Sequence, residues 1–195
     1  MIGIILASGS SKRLGRNKLL EKINGKYIIE HVVLEALKVD FTELILVYKD
    51  KEIYELFKGF KIKLLYNKNH LLGQSESIKL AIKNISNSDE PMMFLVGDQP
   101  LLKNKTIKNI INHYSSQTDI IIPRIYKTNR MPTIFGPKYK KEFLEIKGDV
   151  GGRVLIKKHM NDVTFIDLES ELEYQFFDVD TEENLEFIKK IIIKL

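Results

Sequence analysis

The sequence predicts an α/β protein of the Rossmann-like, three-layer α/β/α type with a mostly parallel sheet. Two observations indicate this fold class. Short, continuous apolar runs recur along the chain, which is typical of strands that are buried on both faces of a parallel sheet. Stretches with helical periodicity separate these runs, and such alternation favours parallel strands joined by helices. Because 195 residues suffice for one sizeable core, we expect residues 1–195 to form a single domain.

The first two thirds of the chain contain five predicted strands and four predicted helices. The strands are Ile2–Leu6, Leu44–Tyr48, Ile62–Tyr66, Met92–Val96 and Asp119–Ile122. The helices are Ile28–Lys38, Glu52–Phe57, Gln74–Asn84 and Lys105–Tyr114. Apolar residues in the first helix form a broad stripe, which indicates that one side of this helix faces a core.

The last third of the chain is less regular. We predict short strands at Pro132–Phe135 and Val163–Asp167 and a final helix at Thr181–Ile193. Thr181 is the expected N-cap of that helix, because acidic residues follow it and two lysines lie near the other end. No linker rich in Pro, Gly or Ser precedes this third, so we expect it to pack on the same sheet.

Composition and charge exclude several classes of protein. The chain has no cysteine, which excludes disulfides and thiolate metal sites and fits a reducing compartment. No apolar run approaches the roughly 20 residues that span a bilayer, and Met1–Leu6 is too short for a signal peptide. The net charge is +5, but the lysines are spread along the whole chain without a nucleic-acid-binding motif. We therefore expect a cytoplasmic protein that binds neither nucleic acid nor membranes.

A loop of small and basic residues follows the first strand. It comprises Leu6, Ala7, Ser8, Gly9, Ser10, Ser11, Lys12, Arg13, Leu14 and Gly15, and Lys18 comes shortly after. Small residues let backbone N–H groups approach a phosphate chain, and Arg13 and Lys18 can bind its oxygens. The spacing matches neither the P-loop nor the dinucleotide-binding glycine motif. The alternative is an ordinary turn with solvated basic residues, but the position directly after the first strand favours phosphate binding.

Two acidic segments are candidate metal ligands. Asp98, within Gly97-Asp98-Gln99-Pro100, stands where the fourth strand should end, which is the edge where open α/β sheets bind ligands. Mg²⁺ needs only one or two protein carboxylates, because it keeps waters and takes substrate phosphates. Asp178 and Asp180 share one side of an extended segment and form the second candidate. The alternatives are that Asp98 stabilises a turn and that Asp180 caps the last helix.

These motifs resemble, in the same order along the chain, those of the molybdenum cofactor nucleotidyltransferases. The loop and Lys18-Leu19-Leu20 resemble the family signature LAAGxSxRMGxxKLL, and residues 97–100 resemble the GDQP of its cytidylyltransferases. Residues 178–185 resemble its DxDTPEDL, with Glu182 in place of the Pro. The resemblance extends from Ile4 to Leu185 and implies the nucleotidyltransferase fold that sugar-nucleotide-forming enzymes share.

The resemblance also implies roles for individual residues. The implied catalytic residues are Arg13, Lys18 and Asp98, and the implied metal ligands are Asp98 and Asp180. The implied nucleotide contacts are Leu6, Ala7, Ser8, Gly9, Arg13, Lys18, Asn67, Gly73, Ser77 and Asp98. The implied residues on the acceptor side are Pro132, Gly148, Asp149 and Arg153. Met131 replaces the family's His, so no imidazole is expected there. Helix capping is the alternative for Ser75 and Ser77 and for Asp149, which would cap the helix after its glycine turn.

The implied activity is the Mg²⁺-dependent transfer of CMP from CTP to the terminal phosphate of molybdopterin, with release of pyrophosphate. A molybdoenzyme would then receive the product. Ser8 stands where guanylyl-transferring relatives have a second Gly, which favours CTP over GTP. Two alternatives stay open. One is a cytidylyl- or uridylyltransferase that acts on a sugar or polyol phosphate, and the other is a non-catalytic accessory protein that binds the nucleotide or the cofactor.

Overall fold

The structure, a computed structural model, describes residues 1–9, 15–115 and 119–192. The strands in this part of the chain are β1 Ile2–Ala7, β2 Lys22–Ile23, β3 Lys26–Tyr27, β4 Glu43–Tyr48, β5 Lys63–Tyr66, β6 Met92–Val96, β7 Ile120–Ile125, β8 Thr128–Asn129, β9 Thr133–Phe135 and β10 Val163–Asp167. The α-helices are α1 Ile28–Ala36, α2 Lys51–Phe57, α3 Gln74–Lys83, α4 Asn104–Asn112, α5 Lys140–Glu145, α6 Arg153–Lys158 and α7 Glu182–Ile192.

The main sheet is mixed but mostly parallel, as predicted. Its strand order is β10-β7-β9-β6-β1-β4-β5, and β8 pairs with β7 outside this path. The central strand β1 is parallel to β4 and β6, β4 is parallel to β5, and β7 is parallel to β10. β9 is antiparallel to both β6 and β7. Strands from the first and last thirds of the chain therefore share one sheet.

Helices cover both faces of this sheet and form two apolar cores with it. On one face, α1, α2, α4 and α7 bury their apolar stripes, including Ile29, Phe57 and Leu185. On the other face, α3, α5 and α6 bury residues such as Ile78 and Phe143. The central strands contact both cores, because their alternate side chains point to opposite faces. This arrangement confirms the three-layer α/β/α prediction.

Local signals account for several element boundaries. Thr181 accepts a hydrogen bond from the backbone of Asn184 (3.2 Å), and the Asn184 side chain accepts one from the backbone of Thr181 (3.2 Å). Thr181 is thus the N-cap of α7, as predicted. The β2–β3 hairpin was not predicted, although its turn residues Asn24 and Gly25 have positive φ angles of 49° and 80°. Asn-Gly is a strong hairpin signal for this reason.

The fold places the carboxyl ends of the central strands at one edge of the sheet. β1, β4 and β6 all run toward this edge, so the segments that follow Ala7, Tyr48 and Val96 lie side by side there.

In the described parts of the chain, no helix combines the length and the apolar character needed to cross a membrane.

Candidate active site

A cleft of about 460 Å³ opens at the carboxyl edge of the sheet. Segments after β1 and β6, the short 3-10 helix Lys18–Leu20, and the loop before α3 form its walls. The residues that line it are Leu6, Ser8, Gly9, Lys18, Leu19, His70, Leu71, Leu72, Gly73, Gln74, Ser77, Val96, Gly97, Asp98 and Asp149. The cleft therefore lies where open α/β sheets bind their ligands.

A lysine lies between two carboxylates at one side of this cleft. The ammonium group of Lys18 donates to Asp98 Oδ2 (2.5 Å) and to Asp180 Oδ1 (2.7 Å). Partial burial disfavours the charged amine, but Asp98 and Asp180 outweigh this effect and raise the pKa of Lys18. The three groups form a compact charged set, in which the carboxylates can bind a cation and the ammonium can bind a phosphate.

The backbone around Lys18 is held by its own local contacts. Asn17 accepts a hydrogen bond from the backbone of Leu19 (3.1 Å) and donates one to Asp50 (2.7 Å). The side chain of Leu19 is buried in the core below. Gly97 leaves room beside it, since a Cβ atom there would lie 2.9 Å from Ile29 Cδ1 and 3.4 Å from Leu19 Cδ2.

Asp180 reaches Asp98 because the segment before α7 is bonded to the end of β6. The backbone of Val179 donates to the carbonyl of Asp98 (3.0 Å). The buried side chain of Gln99 donates to the carbonyl of Phe176 (3.3 Å). Gln175, also buried, accepts hydrogen bonds from the backbone of Lys103 (3.1 Å) and from the Thr106 hydroxyl (2.7 Å) at the start of α4. These contacts bring a residue from the C-terminal end of the chain to the cleft.

A third carboxylate, Asp178, lies next to this pair. As a residue it is solvent-exposed, yet its carboxyl group is partly desolvated by the surrounding protein. This desolvation, together with the charges of Asp98 and Asp180, raises the pKa of Asp178 to about 6, against the opposing effect of Gln99 and Lys18. The three carboxylates thus concentrate negative charge near Lys18.

Three polar side chains form a buried cluster beside the cleft. The hydroxyls of Ser8 and Ser77 lie 2.6 Å apart. The amide of Asn67 donates to Ser77 (3.1 Å) and Ser8 (3.3 Å). Each hydroxyl is therefore satisfied inside the protein, and the cluster connects the end of β1 to the first turn of α3.

The glycine-rich loop 148–152 packs against the start of α3. Gly73 has a φ of +106°, and a Cβ atom there would lie 2.4 Å from the carbonyl carbon of Gly148. The backbone of Ser75 donates to the carbonyl of Gly148 (3.2 Å), and that of Gln74 donates to Asp149 Oδ1 (3.2 Å). Capping of its own helix, the alternative role for Asp149, does not occur, since α6 begins only at Arg153 with Gly152 as its N-cap. The chain folds back far enough for this carboxylate to reach α3 instead.

The structure brings most of the predicted site residues together. The predicted residues that line the cleft are Leu6, Ser8, Gly9, Lys18, Gly73, Ser77, Asp98 and Asp149. Asn67 and Asp180 contact members of this set, and Gly148 contacts Gly73. Ala7 is buried in the core below, Pro132 is buried just before β9, and Arg153 is exposed at the start of α6. Arg13 lies outside the described residues.

Several residues that line the cleft or support it were not predicted from the sequence. Leu71 and Leu72 are 84% and 63% exposed, although they are apolar and line the cleft. Gln99 and Gln175 position the segment that carries Asp180. Two adjacent leucines inside an otherwise polar loop, just before Gly73, were a signal that could have identified the first pair. Gln99 lies within the Gly97-Asp98-Gln99-Pro100 motif, but no local pattern distinguishes Gln175.

The carboxylates of Asp98 and Asp180 fit a divalent cation that also binds substrate phosphates. In residues 1–9, 15–115 and 119–192, no group of three or more His, Cys, Asp or Glu side chains has the geometry to hold a metal ion. Two carboxylates are enough for Mg²⁺, because phosphates and waters complete its coordination. The ammonium of Lys18, a cation held by both carboxylates, shows that this position favours positive charge.

Comparison with known proteins places this geometry in a family. The family model described as a MobA-like NTP transferase domain matches residues 3–163. The chain belongs to this family. It is therefore a nucleotidyltransferase, and its cleft at the carboxyl edge of the sheet is the candidate active site of such an enzyme.

Individual relatives agree with this assignment. The chain is 30% identical over 196 residues to a probable molybdenum cofactor guanylyltransferase of Aquifex aeolicus, covering 96% of this chain and 89% of the relative. Its fold matches molybdopterin-guanine dinucleotide biosynthesis protein A of Archaeoglobus fulgidus with a TM-score of 0.79 at 17% identity over 100% of both chains. It also matches a Mycobacterium tuberculosis protein solved in complex with manganese, with a TM-score of 0.79 at 19% identity over 97% of both chains.

Proposed function

We propose that this nucleotidyltransferase transfers CMP from CTP to the terminal phosphate of molybdopterin, with Mg²⁺, and releases pyrophosphate. The observation that carries the proposal is the set formed by Lys18, Asp98 and Asp180 beside the cleft. A lysine and two carboxylates in this position provide groups for a triphosphate and for its metal ion. The names of the relatives support molybdopterin as the first acceptor to test.

The proposed reaction needs no covalent enzyme intermediate. An oxygen of the acceptor phosphate attacks the α-phosphorus of the nucleotide, and the bond from that phosphorus to the bridging β-phosphate oxygen breaks. Pyrophosphate then leaves with the bonding electrons. Because the acceptor is already an anionic nucleophile, catalysis depends on positioning and on charge neutralisation. Lys18 lies in the cleft where it can exchange its carboxylate partners for phosphate oxygens.

Asp98 and Asp180 are the proposed ligands of the metal ion. A bound Mg²⁺ supplies Lewis-acid stabilisation of the charge that develops on the phosphates. The protein's part is to hold both carboxylates at the same position, through the hydrogen bond from Val179 to Asp98 and the side chain of Gln99. Arg13, which the family resemblance places on the triphosphate, is kept as part of this proposal.

CTP is the proposed donor because Ser8 follows Ala7 where guanylyl-transferring relatives have glycine. The side chain of Ser8 is buried, and its hydroxyl is bonded to Ser77 and Asn67. Its Cβ atom and its ties to α3 restrict the space beside the backbone of the loop, which favours a small pyrimidine. GTP is the second candidate, and the name of the Aquifex aeolicus relative favours it.

The test is a pyrophosphate-release assay with each of the four NTPs, with and without molybdopterin and with and without Mg²⁺. We expect release that requires CTP, the acceptor and the metal together. The variant Asp98→Asn should abolish it while its circular dichroism spectrum stays that of the wild type, because the change removes charge at nearly constant volume. Release with GTP and none with CTP would make GTP the donor in place of CTP. Sugar or polyol phosphates as the active acceptors would replace molybdopterin, and nucleotide binding without any release would favour an accessory protein.

A further inference from the structure

The two loops that form one wall of the cleft are joined by direct contacts. The first loop, residues 70–73, carries the exposed leucines Leu71 and Leu72 and leads into α3. The second is the glycine-rich loop 148–152. The backbones of Gly73 and Gly148 are in direct contact. A Cβ atom at Gly151 would lie 2.5 Å from Gln74 Oε1. The absence of a side chain at Gly73 lets the two backbones touch.

Asp149 adds a side-chain bond to this contact. Its carboxylate accepts the backbone N–H of Gln74 (3.2 Å), and the carbonyl of Gly148 accepts that of Ser75 (3.2 Å). These N–H groups belong to the first turn of α3, where helices have no internal partners for them. Negative charge is also favourable at this end of a helix. Asp149 therefore holds α3 from outside the helix.

The first turn of α3 carries a residue on the nucleotide side of the cleft. Ser77 is bonded to Ser8 and Asn67, and all three belong to the predicted nucleotide contacts. Leu71 and Leu72, on the loop just before, line the same cleft. A change in the position of this turn would move the buried polar cluster and the leucine-bearing wall together.

We infer that Asp149 is a positioning residue for the nucleotide, acting through α3, and not a contact of the acceptor. The inference deepens the proposed function and rests on it, since it requires that the cleft binds an NTP. It reverses the role that the family resemblance implies for this residue. The Gly148-Asp149 loop thus links the acceptor side of the chain to the nucleotide wall.

Nucleotide binding without acceptor tests this inference. Titration calorimetry with α,β-methylene-CTP and Mg²⁺, repeated with the GTP analogue, gives the Kd for the wild type, Asp149→Ala and Asp149→Asn. We expect Asp149→Ala to weaken binding of the preferred nucleotide by about fivefold. A factor of this size is the stability that removal of a helix-capping side chain usually costs, expressed as an equilibrium constant. Asp149→Asn should restore most of the affinity, because its amide oxygen can accept the same bond from Gln74. Asp40→Ala, which changes an exposed aspartate before β4, is the matched control.

The acceptor side supplies the opposite expectation. With saturating nucleotide, Asp149→Ala should leave the KM for the acceptor within about twofold of the wild type. An unchanged nucleotide Kd for a folded Asp149→Ala, or a rise confined to the acceptor KM, would overturn the inference. So would equal losses in Asp149→Ala and Asp149→Asn, because the bond to Gln74 would then not be the cause. A wild-type protein that binds neither nucleotide would instead refute the proposed function.

Discussion

Glu35 provides a quantitative test of how two helices of this fold are held together. It lies on α1, and its carboxylate accepts hydrogen bonds from the backbone N–H (2.8 Å) and the side chain (2.6 Å) of Asn104, the first residue of α4. Lys38 also pairs with it (2.5 Å). Partial burial would raise the pKa of Glu35, but these hydrogen bonds outweigh it and lower the pKa to about 2. α4 has no side-chain cap from its own N-cap residue, Lys103, so Glu35 supplies one from another helix.

The expected loss of stability follows from that pKa. A shift from 4.5 to about 2 corresponds to about 3 kcal/mol, and the exposed partner Lys38 reduces the expected value to about 2 kcal/mol. Because the pKa is lowered on folding, this stability is fully present above the unfolded pKa. It is lost as the pH falls through the folded pKa. Glu35→Gln should therefore lower the free energy of unfolding by about 2 kcal/mol at pH 7. The difference from the wild type should shrink steadily below pH 4.5.

Urea denaturation followed by far-UV circular dichroism at pH 7, 5 and 3.5 measures this difference. Glu55→Gln is the matched control, because Glu55 pairs with Lys58 on the exposed side of α2. We expect that control to leave the stability nearly unchanged at each pH, because an exposed ion pair contributes little. A Glu35→Gln protein as stable as the wild type at pH 7 would refute the reasoning, and so would a loss that does not depend on pH.

Three further predictions concern the site. Lys18→Met should lower the rate of pyrophosphate release at least tenfold, which is about 1.4 kcal/mol of transition-state stabilisation; near-normal turnover would contradict the assigned role. Mn²⁺ binding by the same variant should be at least as strong as in the wild type in a calorimetric titration, because both carboxylates remain. Ser8→Gly should reduce the ratio of kcat/KM for CTP to that for GTP in the same assay, and an unchanged ratio would exclude Ser8 from base selection. Gln175→Leu should cost about 1–3 kcal/mol in urea denaturation and weaken Mn²⁺ binding, since the segment that carries Asp180 loses its bonds to α4; full metal affinity would show that this segment is held in another way.

The periodic patterns of the sequence were enough to predict the fold class. Buried parallel strands need continuous apolar runs, and the helices that cover them need apolar stripes. Both patterns involve residues close together in the sequence and can therefore be recognised from it. Ile2–Ala7 and Met92–Val96 were found in this way almost to the residue. The position of Asp98 followed from the same rule, because a strand end determines the edge of the sheet where the next residue lies. Thr181 was recognisable as an N-cap because the acidic residues that follow it and the two lysines near the other end of the helix are local signals.

Contacts between distant segments could be decided only by the tertiary structure. Asp180 contacts Lys18 because hydrogen bonds tie the segment before α7 to the end of β6 and the start of α4. Gln99, Gln175 and Val179 make these bonds. The sequence identified Asp180 as a candidate, but no local spacing predicts its pairing with Lys18. Asp149 is a further case, since the sequence offered an acceptor-side role or a cap on its own helix, and the structure places its carboxylate at the start of α3. Capping needs only an oxygen near free N–H groups, and the folded chain alone determines which helix end that oxygen reaches.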